Sequence, residues 1–111
     1  MAVQILIQRK VIKEKATEIA SLMVELRSLA RAQPGYMSSE SLKCIDPPGE
    51  EEYLIRSTWQ SHEDWKKWQH SGERVAIQKK IDAITGEKTR YRVYEALVDG
   101  IFPKDEESSQ S

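Results

Sequence analysis

Between Ile12 and Glu14 the hydrophobic period of this chain changes from two to three-and-four, and few folds accommodate the order in which such changes recur along it. Val3 to Ile12 (VQILIQRKVI) is rich in β-branched residues and too short for a buried helix. It reads as a strand with Val3, Ile5 and Ile7 on one face and Gln4, Leu6 and Gln8 on the other. From Glu14 to Gln33, Ala16, Ile19, Ala20, Met23, Leu26, Leu29 and Ala30 return at helical steps, which predicts an amphipathic helix stopped by Pro34 and Gly35.

Tyr36 to Ile45 and Glu52 to Gln60 are strand candidates on either side of the turn-rich DPPGEEE at Asp46 to Glu52, so they form a hairpin with a long loop. Ser61, three residues before Asp64, opens a short helix over His62 to Gln69. After the break at His70 to Gly72, Ser71 caps a second helix. Val75, Ile77, Gln78, Ile81 and Ile84 mark its inner face, and it ends at Gly86. Thr89 to Val98 alternates again as a last strand.

The order is β-α-β-β-α-β with the second helical stretch split in two. The expected fold class is therefore α+β, a ferredoxin-like four-stranded antiparallel sheet. Two helices cover one face of such a sheet, and a face that meets water should read polar. The strands instead carry apolar or aromatic residues on both faces: Tyr53, Ile55 and Trp59 against Leu54, and Tyr91, Val93 and Leu97 against Tyr94, Ala96 and Val98. A twin molecule on the outer face accounts for this, which predicts a homodimer.

At 111 residues the chain reads as one domain over 1–100, with a polar tail at 101–111 expected to be disordered. Its 17 basic and 18 acidic residues are interspersed, which leaves no basic stripe for nucleic acid. No apolar run approaches the roughly 18 residues of a membrane helix, and MAVQILIQRK lacks the basic leader and cleavage site of a signal peptide. Cys44 is the single cysteine and cannot form an intrachain disulfide, so a cytoplasmic location is the default.

Ser57 to Arg74 (STWQSHEDWKKWQHSGER) holds all three tryptophans and both histidines. Trp59, in a strand, reads as core. Trp65 and Trp68 share a helix face with His62, and anchoring a short helix to the sheet is their simplest role. Trp68 also precedes the helix break, where a gap over the sheet can form, so it reads equally as anchor and as pocket wall. His62 and His70 are not an i, i+4 pair and read as solvated, with His70 nearer the presumed pocket mouth. No metal site is expected: GEEE reads as a solvated turn.

The ordered set W-x-S-x-E-x-W-x-x-W-x-x-S-x-E-R, as Trp59, Ser61, Glu63, Trp65, Trp68, Ser71, Glu73 and Arg74, resembles the signature of the antibiotic biosynthesis monooxygenase (ABM) superfamily. The junction at Gln33 to Tyr36 is similar to that family's as well, and the resemblance spans Val3 to Val98. It implies a dimeric α+β barrel in which each subunit keeps a pocket between sheet and helices.

The activity implied is cofactor-independent monooxygenation of a small aromatic or quinol. One alternative is a non-catalytic small-ligand-binding or stress-related module, and another is a heme-binding or heme-degrading relative with non-standard ligands. The heme-degrading branch uses a first-strand asparagine, a tryptophan and a later histidine. Trp68 matches the tryptophan, but Gln78 stands in the histidine's place and Ile7 or Gln8 in the asparagine's. An amide is a poor iron ligand, so no cofactor is expected and heme is disfavoured.

Oxygenation without a cofactor needs a protein that ionises its substrate, holds the anion and excludes water. The pocket candidates are Trp68, Gln78, His70, Tyr36 and Arg92, with no catalytic residue assigned. Tyr53, Tyr91, Tyr94 and Arg56 are further polar groups on the strands, each also explained by packing. Arg56 and Arg92 read as pocket cations or, preferably, as cross-strand partners of Glu40, Glu52 and Glu95.

Overall fold

The computed structural model describes residues 2–49 and 51–97; the tail expected at 101–111 lies outside them, as does Val98. Strand β1 (Val3–Lys10) leads through a short 3₁₀ turn to helix α1 (Ala16–Arg31). The hairpin strands β2 (Tyr36–Lys43) and β3 (Glu52–Trp59) follow, then helices α2 (His62–Gln69) and α3 (Gly72–Thr85), and strand β4 (Arg90–Glu95). The antiparallel sheet has the order β2-β3-β1-β4, with the helices on one face: the ferredoxin-like arrangement.

Alternation sets the inner face. Val3, Ile5, Ile7 and Arg9 of β1 are buried while Gln4, Gln8 and Lys10 are exposed. In register, Ile5 stands opposite Ser57 and Val93, and Ile7 opposite Ile55 and Tyr91. The core gathers under the two central strands, with Leu26 and Ala30 of α1 and Ile77 and Ile81 of α3 closing over it, and Ile19 of α1 is buried as well. Two residues expected inside face water. Ala20 lies beside Ile19 but off the 19-23-26-30 stripe, and Val75 is a step off the line of Arg74, Ile77, Gln78 and Ile81.

The broken helix is set by its caps. Ser61 Oγ accepts from the Asp64 N–H at 3.1 Å and donates to Asp64 Oδ2 at 2.9 Å. Ser71 Oγ accepts from the Arg74 N–H at 3.3 Å, so α3 restarts directly after α2 ends at His70. Gly86, left-handed at φ 75°, closes α3.

The outer face is mixed rather than apolar. Leu6 and Leu54 are half-buried, and Leu42 and Tyr94 are each 43% exposed. Between them Arg56 pairs with Glu40 at 2.9 Å, as expected of a cross-strand partner, and Gln8 donates to Glu52 at 2.7 Å. Among the described residues, no helix is long and apolar enough to cross a membrane.

Gly35 joins α1 to β2 and adopts φ 87°, and its carbonyl accepts from the Gln60 N–H at 2.8 Å. A β-carbon there would lie 2.5 Å from Asp64 Cβ, inside the cap of α2. Gly35→Ala therefore adds left-handed strain to a steric clash, and we expect a loss of about 2 kcal/mol or more, seen as a lower urea midpoint with unchanged slope.

Candidate functional site

An aromatic row crosses the inner face and fixes where the helices sit. Tyr36 meets Trp59 edge-on at 5.5 Å, Trp59 meets Trp65 at 6.0 Å, and Trp65 meets Tyr91 at 6.0 Å. Trp59 is fully buried, with its indole N–H donating to Ser57 Oγ at 2.8 Å. The Arg74 guanidinium closes the row, 5.4 Å from the Trp65 ring and 4.8 Å from that of Tyr91.

Beside this row a cavity of about 60 Å³ lies between the sheet and α1. Its floor is Ile7, Arg9, Ile55 and Ser57, and Trp65, Trp68 and Arg74 form one wall. Met23 and Arg27 of α1 face Tyr36, Ser39 and Ser41 of β2 across the other side. Exposed Arg27 bridges the rim there by donating to the Ser39 carbonyl at 3.4 Å, and Tyr36 Oη and Ser39 Oγ are 2.8 Å apart.

Two of the cavity's residues are cations in an unusual position. Arg9 is 3% and Arg74 4% exposed, yet among the described residues neither guanidinium forms an ion pair; the one ion pair is Arg56 with Glu40. Arg74 donates to the Gln69 carbonyl at 3.3 Å and to the Tyr91 hydroxyl. Arg9 Nη2 donates to Gln78 Oε1 at 3.0 Å, while its Nε is buried without a partner. Gln78 passes the contact on, donating to Asp82 Oδ1 at 2.8 Å and Thr89 Oγ1 at 2.6 Å. The nearest counter-charge to Arg9 along these bonds is thus one amide away.

Burial, the largest influence, pulls the Arg9 guanidinium down from its ordinary value to about 10; Tyr91 and Asp82 favour its charged form and Arg74 opposes it. Because the folded value is the lower one, the cost of ionised Arg9 is present at every pH below about 10 and is relieved only as pH rises through that value. The cost is on the order of 3 kcal/mol.

Of the five residues expected at a pocket, Trp68 and Tyr36 line the cavity. Gln78 is buried just behind it, holding Arg9. His70 is exposed at the end of α2, where its N–H caps the helix. Arg92 lies at a β4 position of outward parity, in register with Leu6, so the sheet separates it from the cavity. Tyr94 and Arg56 share that outer face, and Tyr53 stands opposite Arg9 near the strand end. Arg9 and Arg74 were not among the expected residues, although both sat on legible faces. Arg9 follows Val3, Ile5 and Ile7 at strand spacing, and Arg74 precedes Ile77, Gln78 and Ile81 at helix spacing.

The heme ligands of the degrading branch do not fit here. Gln78's amide is committed to Arg9, Asp82 and Thr89, and the cavity-facing first-strand residues are Ile7 and Arg9, neither of them an asparagine. Among the described residues, no group of three or more His, Cys, Asp or Glu could hold a metal ion.

Residues 2–80 match the family model described as Antibiotic biosynthesis monooxygenase. No curated protein matches the chain. Among solved structures, a conserved protein from Methanosarcina mazei is similar with a TM-score of 0.77 at 15% identity, covering 86% of this chain and 92% of that one. A mutant form of SnoaB, a cofactor-independent oxygenase from Streptomyces nogalater, has a TM-score of 0.74 at 16% identity, covering 86% and 92%. Rv0793 from Mycobacterium tuberculosis has a TM-score of 0.76 at 12% identity, covering 88% and 97%.

Replacing a buried, unpaired charge by an apolar side chain of similar length should stabilise the ligand-free fold. Arg9→Met removes the desolvation cost and leaves Gln78 Oε1 without a donor, which offsets part of the gain. We expect a net gain of about 1 kcal/mol, read as a higher urea midpoint at neutral pH; a loss would mean that the surroundings already compensate the charge.

Proposed function

The chain belongs to the antibiotic biosynthesis monooxygenase family, and from that premise we propose that it is an oxygenase that seats a small aromatic or quinol beside Trp65 and Trp68 and oxidises it with O2 without a resident cofactor. The observation that carries this reading is the cavity itself: a pocket between sheet and helices, walled by two indoles and a tyrosine, suits a flat ring. The likeness in fold to SnoaB supports it.

The chemistry needs little from the protein if the substrate supplies the electrons. Once a ring hydroxyl is ionised, the ring CH carbon ortho or para to it can bond to O2 as C–OOH. That carbon then gives up its hydrogen as the O–O bond breaks, leaving C=O and one water, so phenol and O2 balance against quinone and water. The protein's tasks are to favour the ionised hydroxyl, hold the ring against O2 and exclude water. At about 60 Å³ the cavity is smaller than the roughly 150 Å³ that accommodates a benzene ring, so binding must widen it. Met23, unbranched and only partly buried, and exposed Arg27 are the groups that can move aside without disturbing the aromatic row.

The proposed assembly is a homodimer packed through the outer face, where Leu6, Leu42, Leu54 and Tyr94 would find cover. Light scattering at micromolar concentration should give twice the 12.8 kDa of one chain, and a single-chain mass would overturn the dimer.

Metal-stripped protein should consume oxygen with one or more members of a panel of benzene- and naphthalene-diols. Trp68→Ala should then lower kcat/KM at least tenfold, by about 1.4 kcal/mol or more of lost transition-state stabilisation. No uptake across the panel would leave a binding module in place of an enzyme.

A further inference from the structure

Two buried cations lining one cavity, without a carboxylate partner among the described residues, bear on the charge of its ligand. We infer that the cavity is a site for a planar organic oxyanion, held by Arg9 with Arg74 as the second positive group. The inference rests on the proposed function only for the aromatic character of the guest.

Three observations carry it. An arginine that is only 3% exposed normally brings a counter-ion with it, because desolvating an ion is costly unless it is paired. Here the described protein groups bonded to the two guanidiniums are an amide, a carbonyl and a phenol. Secondly, Arg9 lines the cavity and its buried Nε has no acceptor, so the guanidinium at this site is left with an unsatisfied donor. Thirdly, both guanidiniums are held in place before any ligand arrives. Gln78 fixes Arg9, and Gln69, Tyr91 and the Trp65 ring fix Arg74. An oxyanion entering this site gains charge-assisted bonds without ordering long side chains first.

The shared chemistry is an ionised oxygen on a flat ring, and it has two sources: a permanent carboxylate, or a hydroxyl that loses its proton on binding. The second would also serve oxygenation, since the anion that reacts with O2 would be the species the site selects.

Calorimetric titration of the full chain with benzoate and its neutral isostere benzamide tests the first source, in buffer low in competing anions. Titration with 4-nitrophenol below its ionisation midpoint tests the second, because the bound anion turns yellow. We expect benzoate to bind at least tenfold tighter than benzamide, or 4-nitrophenol to be bound in its coloured form; either supports the site and identifies its source. Arg9→Met, expected to fold at least as well as the parent, should abolish the preference. Benzoate should likewise raise the melting temperature of the parent and not of the variant. Equal binding of benzoate and benzamide with colourless 4-nitrophenol overturns the inference, as does failure of every probe to bind or a preference that survives in Arg9→Met. The oxygenase reading fails separately: oxyanion binding without oxygen uptake removes the enzyme and leaves the site.

Discussion

The edge-on contact between Trp59 of β3 and Trp65 of α2 is the constraint from which the site follows. Trp59 cannot move, since it is fully buried and its indole N–H is tied to Ser57. A helix of eight residues has too little surface to hold itself to a sheet, and two buried indoles supply that surface. Once Trp65 is pinned, the Ser61 and Ser71 caps fix where α2 starts and where α3 takes over. The wall of the cavity is then set, because Trp68 and Arg74 lie on either side of that changeover.

The cost of the arrangement is electrostatic. Pinning α2 in this way brings Arg74 onto the rings of Trp65 and Tyr91, and the inward parity of β1 brings Arg9 under α3. Two like charges then share a buried region, and Arg74 is among the influences that disfavour ionised Arg9. A fold selected for stability alone would put apolar groups at both positions, as it does at Ile7 and Ile77 beside them. Stability given up at a cavity wall is the pattern of a site that acquires its missing partner from outside the chain.

Much of this architecture was legible. The period of β1, the capping serines, the break at His70 to Gly72 and the glycine ending α3 all lie in local sequence, and each acts locally. The site is legible only in part, because the identity of a polar residue marks it as a candidate while its position decides where it points. His70 is a histidine near a gap and Arg92 a cation in mid-strand, but the end of α2 and the parity of β4 send both outward. Arg9 and Arg74 occupy inward positions that the same periodicity exposes, yet a charged residue on an apolar stripe is usually taken to reach water along its own stem. Whether it can do so depends on what crosses above it, here α3 with Gln78 and Asp82. That is a tertiary fact.

Charge at the site is independent of charge on the chain. The sequence as a whole is close to neutral, at −1, so long-range attraction does little to gather anions from solution. Selectivity must arise at short range, where water is excluded and a charge is felt most strongly. A neutral ring entering the cavity would gain indole contacts but leave Arg9 Nε without an acceptor, and it would further bury a cation already disfavoured by its surroundings. An oxyanion gains the same ring contacts and supplies the counter-charge that the guanidinium lacks. The preference therefore comes as much from the penalty on the neutral guest as from the bond made to the charged one, as in other sites whose buried polar groups reject ligands that cannot satisfy them.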